Sequence, residues 1–364
     1  MPTSPPPFSR ITLFIPELLW PEPEDHDVLE GAGGQALATL LSRGRLSIRP
    51  RDSMEAVLIQ LFGHPENTPY SALRRLGETT MVPENDDACW ISADPVHLKF
   101  HHDRLVLAEA RTLEIHHDEA QALVADLNQY FTDIGRFHAA TPARWYIQLA
   151  SEASLGAITA PPLSAVAGRD VGPLLLDTLP DRASRKLVTE IQTFLRMHAV
   201  NQQREKKGLL PINSLWLWSA GRLPPRTKAE FDGVWSTHPL ALGLARAAEM
   251  PTHPLPDNAH RFLDQASSTS NPLILLEDLS YSVYYENSEA YRSTLKTLEN
   301  SWFAPLQDAL IAGRIKQLHL KTTTAYGVLT WECRRRDLWR LWRRRLPLKE
   351  IVKNIEKQHL HDPV

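Results

Sequence analysis

The chain has 364 residues, of which 43% are hydrophobic and 23% are charged, so it can bury a large core and does not have the composition of a disordered protein. Its formal charge of −3 gives no overall attraction to nucleic acid, and its two cysteines are isolated, which excludes a disulfide framework and a paired-cysteine metal motif. No apolar run approaches the roughly 18 residues that span a bilayer, and the proline-rich start does not have the pattern of a secretion signal, so we expect a cytoplasmic protein.

The first third of the chain predicts one buried strand followed by two helices. A β-branched and aromatic run at residues 11–15 ends at Pro16, as buried strands often do before a connecting loop. Residues 34–43 have a helical composition, and a second helix is expected at residues 53–62. Ser53 stands where the second helix begins, in the position of an N-cap.

The middle of the chain predicts a lobe richer in strands. Residues 89–100 and 103–107 alternate as two strands around a tight turn, and residues 145–149 form another alternating strand. Helical spacing of apolar residues is found at residues 118–131 and again at 184–200. These elements predict a small α/β lobe.

The last third returns to alternating helices and buried strands. Strands are expected at residues 215–218, 273–276 and 315–320, and helices at residues 239–248 and 288–313. Helices that alternate with apolar strands at both ends of the chain favour a largely parallel sheet covered on both faces. We therefore predict an α/β fold in which a three-layer sheet domain contains an inserted smaller α/β lobe.

The same pattern suggests domain boundaries. The sheet domain is expected to be discontinuous, formed by residues 1–94 and 206–330, and the inserted lobe is expected at residues 95–205. Residues 331–364 are expected to form a basic, helical C-terminal tail.

One long segment resembles a known enzyme family. Residues 197–224 include Met197-His198-Ala199-Val200-Asn201, Arg204, Pro211-Ile212-Asn213 and Leu215-Trp216-Leu217-Trp218, and they resemble the "HPxN…R…PAN…WLWGxGxxP" region of archaeal-type, cofactor-independent phosphoglycerate mutases of the alkaline phosphatase superfamily. Shorter resemblances follow in the family's order at residues 51–65, 113–128 and 277–299. Together they are also similar to a bacterial family of Rpf-type regulatory, phosphoglycerate-mutase-like proteins.

The resemblance implies an active site, against which the chain can be compared residue by residue. In the enzymes, two divalent metal ions, Mn²⁺ or Mg²⁺, held by Asp and His side chains, activate a serine that accepts the phosphoryl group. The serine aligns with Ser53, and Glu17 and Asp278 align with metal ligands. Met54 replaces the aspartate beside the serine, and the last core strand, near His319, carries no aspartate. The resemblance therefore predicts a site that has lost most of its metal ligands.

Each aligned residue also has a structural explanation. Ser53 could simply cap its helix, and Glu17 and Asp278 could be exposed carboxylates at strand ends. Arg204, Asn201 and Asn213 could bind a carboxylate or phosphate of a substrate, or they could fix a loop.

The segment at residues 334–345 contains seven arginines together with Trp339 and Trp342. A basic helix with two tryptophans could bind nucleic acid or an anionic membrane, or its apolar residues could pack on the body of the protein. No transmembrane segment is predicted.

Three functions follow from the sequence. The leading hypothesis is a degenerate, non-catalytic mutase relative that has a regulatory role and binds a small anionic ligand or a protein partner, with no cofactor. The second is an active phosphotransferase that uses Ser53 and a divalent metal. The third is a nucleic-acid or membrane-associated module that acts through residues 334–345.

Overall fold

A computed structural model describes most of the chain: residues 8–22, 25–78, 87–151, 158, 160–179, 181–266, 269–340 and 342–361. The proline-rich leader, residues 1–7, lies outside the described residues. No helix among the described residues has both the length and the apolar character that crossing a bilayer requires.

The described residues form strands and helices in alternation. The strands are β1 (Ile11–Phe14), β2 (Arg45–Arg49), β3 (Trp90–His101), β4 (Arg104–Glu109), β5 (Gly135–Thr141), β6 (Arg144–Leu149), β7 (Ser214–Gly221), β8 (Gly233–Trp235), β9 (Thr252–His253), β10 (Pro272–Leu275), β11 (Gln317–Thr324) and β12 (Gly327–Arg334). The helices are α1 (Gln35–Arg43), α2 (Met54–Leu61), α3 (Ser71–Leu76), α4 (Ala110–Leu113), α5 (His117–Tyr130), α6 (Leu163–Val166), α7 (Gly172–Thr178), α8 (Arg182–Met197), α9 (Ala199–Lys206), α10 (Pro239–Ala247), α11 (Ala259–Gln265), α12 (Ser280–Tyr284), α13 (Ser288–Leu298), α14 (Ala304–Ile311), α15 (Arg335–Leu338) and α16 (Leu348–His361). A short 3-10 turn at His26–Leu29 and a π-helical turn at Glu299–Phe303 complete the helical segments.

The chain divides into two compact units, and their boundaries differ from those expected. One unit combines residues 1–62 and 228–364, and the other is residues 63–227. The sequence had assigned residues 63–94 and 206–227 to the sheet domain. Strand β7 is the reason for the difference, because it pairs with β3 in the sheet of the second unit. Strand β12 likewise extends the first unit's sheet into the region that was expected to be a separate tail.

The first unit is built on a seven-stranded mixed sheet in the order β2-β12-β11-β1-β10-β8-β9. Strands β11, β1, β10, β8 and β9 run parallel, whereas β12 is antiparallel to both of its neighbours.

Helices cover both faces of this sheet. Successive strand residues point to opposite faces, and Leu13 and Ile274 pack in one apolar cluster with residues of α1, α13 and α14. On the opposite face, Phe14 and Leu275 are also fully buried, and α10 packs against β8 and α2. This arrangement confirms the predicted α/β sheet domain.

The second unit is built on an antiparallel sheet of β4, β3, β6 and β5, with β7 paired to β3. Trp145 and Ile147 of β6 pack with Leu123 of α5 and Leu195 of α8 in one core. Trp216 and Trp218 are buried at 3% and 2% exposure, in agreement with the buried strand predicted at residues 215–218. The unit is the predicted smaller α/β lobe, with wider boundaries.

Candidate functional site

The carboxyl ends of two parallel strands bring predicted and unpredicted carboxylates to one edge of the first unit's sheet. β1 is followed by Glu17, which has a left-handed backbone (φ 58°) and donates its N–H to the Thr323 carbonyl at 2.9 Å. β10 is followed by Glu277 and Asp278, and because the two strands are parallel, these residues lie at the same edge as Glu17.

The pKa of Tyr284, a residue of α12, depends on the charge at this edge. Burial raises the pKa of the Tyr284 hydroxyl well above its ordinary value, and the charges of Glu17, Glu55 and Glu277 raise it further. His238, which follows β8, adds an imidazole 3.8 Å from Glu277, measured from Nε2 to Oε1. The charges of three carboxylates, those of Glu17, Glu55 and Glu277, therefore act on one tyrosine, and we call these three residues together with Tyr284 the carboxylate edge.

Sequence reasoning found Glu17 but missed Glu55, Tyr284 and His238. Glu55 follows Ser53 by two residues in the first turn of α2 and is 3% exposed, so its burial distinguishes it from an ordinary helix-terminal glutamate. That burial depends on packing from distant elements and leaves no signal in a single sequence. Asp278, the predicted metal ligand, is exposed, and its neighbour Glu277 is the carboxylate that acts on Tyr284.

Ser53, the predicted nucleophile, caps helix α2. Its Oγ accepts a hydrogen bond from the Ala56 N–H at 3.1 Å, and its own N–H donates to Asp52 Oδ1 at 2.9 Å. The Asp52 carboxylate also accepts from the Gln60 side chain at 2.9 Å, which ties it to the same helix. These are the hydrogen bonds of a helix N-cap, which is the structural role that the sequence analysis gave as the alternative for Ser53.

The residues present at this edge do not fit a metal centre of the kind that the resemblance implies. Among the described residues, no three His, Cys, Asp or Glu side chains converge in a geometry that could hold a metal ion. Divalent ions of the Mn²⁺ or Mg²⁺ class need several oxygen or imidazole ligands around one point.

Asn201 lies in the second unit and holds protein backbone. Its Nδ2 donates to the carbonyls of Leu195 and Ile212, each at 2.7 Å, and its Oδ1 accepts from the Ile212 N–H at 2.7 Å. The amide is 1% exposed and joins the end of α8 to the start of β7. Asn213 makes a similar pair of bonds with Leu98, accepting at 2.8 Å and donating at 2.9 Å.

Arg204 is fully buried and also bonds to protein groups. Its guanidinium donates to the Leu210 carbonyl at 3.0 Å, to Glu119 at 2.5 Å and to the Leu113 carbonyl. An external anion would have to displace these bonds to reach it. Asn201, Asn213 and Arg204 were predicted either to bind substrate or to fix a loop. Their contacts in the structure are those expected of loop-fixing residues.

The arginine-rich segment at residues 334–345 is not one helix, which corrects the sequence-based expectation. Arg334 ends β12, only Arg335–Leu338 is helical, and Leu341 lies outside the described residues. Leu338 is buried, whereas Trp339 and Trp342 are 62% and 78% exposed. The aromatic rings of this segment therefore face solvent.

Comparisons with known proteins identify the fold. No family model matches the chain, and no curated protein matches it. The PH0037 protein from Pyrococcus horikoshii is 13% identical, with 90% of this chain and 88% of that chain covered and a TM-score of 0.55, so the two share a fold. A second similar structure is the cofactor-independent phosphoglycerate mutase from Thermoplasma acidophilum DSM 1728, which is 18% identical with 90% of both chains covered and a TM-score of 0.46.

Proposed function

We propose that this chain is a relative of cofactor-independent phosphoglycerate mutase that has lost phosphoryl transfer and acts in the cytoplasm by binding a small anionic ligand or a protein partner in a regulatory role. The family relationship is supported by the in-register resemblance at residues 197–224 and by an α/β fold with an inserted lobe.

The observation that carries the proposed loss of phosphoryl transfer is the role of Ser53, whose Oγ accepts the Ala56 N–H as the N-cap of α2, while no three metal-ligating side chains of the described residues could hold a metal ion beside it. Burial raises the pKa of the Tyr284 hydroxyl, and the charges of Glu17, Glu55 and Glu277 raise it further, so this edge of the sheet is negative. A phosphate dianion among three carboxylates is repelled unless cations neutralise the charge. A protonated tyrosine and carboxylates instead suit a ligand that carries hydrogen-bond donors or positive charge.

This arrangement also distinguishes between ligands. An anionic ligand is disfavoured at the carboxylate edge and would bind elsewhere on the chain, whereas a basic segment of a protein partner fits the edge. The carboxylate edge therefore favours a protein partner over a small anion at this place.

Activity assays test the proposal directly. Purified protein supplied with Mn²⁺ or Mg²⁺ is incubated with 3-phosphoglycerate, and formation of 2-phosphoglycerate is followed. We expect no rate above that of Ser53→Ala, whose loss of the N-cap costs about 1 kcal/mol of stability. Ser53→Thr is the matched control because it keeps both the hydroxyl and the cap. A rate that Ser53→Ala abolishes and Ser53→Thr preserves would show that the chain is an active phosphotransferase.

A further inference from the structure

A basic pocket lies at the β2 edge of the first unit's sheet, and its charge is opposite to that of the carboxylate edge. It has a volume of about 410 Å³, and five guanidinium groups line it, from Arg45, Arg334, Arg336, Arg340 and Arg343. Two carboxylates, Glu332 and Asp337, also line it, so the pocket has a surplus of three positive charges. We call it the arginine pocket.

The fold positions these arginines. Strand β2 pairs antiparallel with β12 and sets Arg45 opposite Glu332, and Arg334 lies two residues further along β12 on the same face. The chain then turns through α15. Asp337 is 6% exposed, accepts from the Arg334 N–H at 2.9 Å and forms an ion pair with Arg340 at 2.9 Å. Asp337 is therefore engaged in holding the turn and in orienting Arg340.

The positive surface continues along the same face of the sheet. Arg49 lies four residues from Arg45 on β2, about 13 Å along the strand, and both are exposed. Lys321 of β11 donates to Thr330 Oγ1 at 2.8 Å, and burial together with the charge of Arg49 lowers the pKa of Lys321 to about 8. The length of this surface suits a chain of anionic groups better than a single anion.

Two exposed tryptophans are sequence neighbours of arginines that line the pocket. Trp339 and Trp342 are 62% and 78% exposed, and they alternate in sequence with the pocket arginines Arg340 and Arg343. Tryptophan side chains are highly buried on average, so two exposed rings three residues apart are notable. Aromatic faces next to arginines form the combination that stacks unpaired bases while it holds phosphates.

We propose that the arginine pocket, together with Trp339 and Trp342, binds single-stranded nucleic acid. Arginines of the pocket hold successive phosphates, and the two tryptophan rings stack on bases. Binding is independent of sequence, because phosphates and base faces are common to all nucleotides. The proposal goes beyond the loss of phosphoryl transfer and does not depend on it.

The structure favours nucleic acid over an anionic membrane. Binding in the membrane interface uses an amphipathic helix with a free apolar face, but α15 has only four residues. The next helix, α16, buries Leu348, Ile351, Val352 and Ile355 in the core of its unit. In addition, a concave pocket can surround a phosphodiester chain, whereas a flat bilayer surface would contact only its rim.

The test uses the full-length protein and a short fluorescein-labelled oligo(dT), with fluorescence anisotropy as the readout. We expect binding whose affinity falls with salt, with a slope of about −2 in a plot of log affinity against log salt for three phosphate contacts. Arg336→Glu/Arg343→Glu should weaken binding about tenfold or more. Trp339→Ala/Trp342→Ala should weaken it about fivefold or more and remove the quenching of tryptophan fluorescence by the oligonucleotide.

The matched control is Arg335→Glu/Arg344→Glu, which makes the same change of charge in the same segment but outside the pocket. It should weaken binding less than threefold at moderate salt, because its contribution is long-range and screened. Circular dichroism of each variant confirms folding. Equal losses in the two charge-reversed variants, no binding by the wild type at low salt, or binding to phosphatidylserine vesicles without binding to oligo(dT) would each overturn the proposal.

Discussion

Asp94 of β3 is a carboxylate with no exposed surface, and three donors surround it. Arg74 Nη2 donates to it at 3.1 Å, Trp218 Nε1 at 2.9 Å and the Trp145 N–H at 3.3 Å. Burial alone would lower the pKa of Arg74, but the charge of Asp94 and other nearby groups more than reverses this, and the pKa is raised. The guanidinium also lies over the Trp218 ring, 5.0 Å from its centre. This ion pair connects α3, β3 and β7 in the core of the second unit.

Removing the charge of Asp94 should destabilise the protein strongly. Asp94→Asn removes the charge of the carboxylate that is paired with the buried Arg74 guanidinium, and we expect a loss of about 3 to 5 kcal/mol in the free energy of unfolding. Asp126→Asn is the control, because Asp126 is 52% exposed and its 3.0 Å pair with His198 should contribute less than about 1 kcal/mol. Urea denaturation followed by tryptophan fluorescence measures both variants. Similar losses for the two would contradict the assigned role of Asp94.

At the scale of elements, the sequence predicts the buried strands better than the polar ones. The continuous apolar runs of β1 and β10 identify them because both of their faces are covered. Strand β2 reads Arg-Leu-Ser-Ile-Arg, with exposed and half-buried residues alternating, and β12 carries charges among its apolar residues, so neither was predicted. The long helix expected at residues 288–313 was found, but it contains the π-helical turn at Glu299–Phe303.

The carboxylate edge and the arginine pocket were less predictable than the buried strands, because residues far apart in the sequence form them. The N-cap role of Ser53 is local and could be read from neighbouring residues. Glu17 and Glu277 act on one tyrosine, although more than two hundred positions separate them in the sequence, and the parallel pairing of β1 with β10 brings them to one edge. The arginine pocket likewise needs Arg45, which comes from a strand that the sequence did not reveal.

His319 lies in β11 of the seven-stranded sheet and should make the stability of the protein depend on pH. Burial, aided by the charges of Arg10, Lys321 and Arg334, lowers the pKa of its imidazole from 6.5 to about 4. The unfolded chain therefore binds a proton between about pH 6.5 and pH 4 that the folded chain does not bind. It follows that the free energy of unfolding decreases as the pH falls through this window.

The variant His319→Gln tests this linkage. It keeps a polar group near Gln317, whose side chain lies 2.7 Å from His319 Nε2. Between pH 7.5 and pH 4.5, wild-type protein should lose about 1 to 2 kcal/mol more stability than the variant, after allowance for partial exposure. The exposed His117 of α5 provides the control, and His117→Gln should follow the wild type. The idea fails if wild type and His319→Gln lose stability in parallel.

On the scale of the whole molecule, the second unit is one continuous stretch of chain with its own core. Cys89 and Ile91 of the β3 region belong to the same apolar cluster as Leu123, and so do Leu215 and Leu217 of β7. The boundaries expected from sequence, residues 95–205, would keep Leu123 of α5 and remove the other four of these five residues. They would also remove Asp94 and its partners Arg74 and Trp218.

A fragment of residues 63–227 should therefore fold on its own, whereas a fragment of residues 95–205 should not. The longer fragment keeps β3 paired with both β6 and β7, whereas the shorter one lacks β7 and also lacks residues 90–94 of β3, which include every β3 residue paired with β6. We expect cooperative thermal unfolding by circular dichroism and dispersed amide resonances only for residues 63–227. Cooperative folding of the shorter fragment would show that β7 and the Asp94 cluster are dispensable. Failure of the longer fragment would show instead that this unit, despite its separate core, requires the rest of the chain in order to fold.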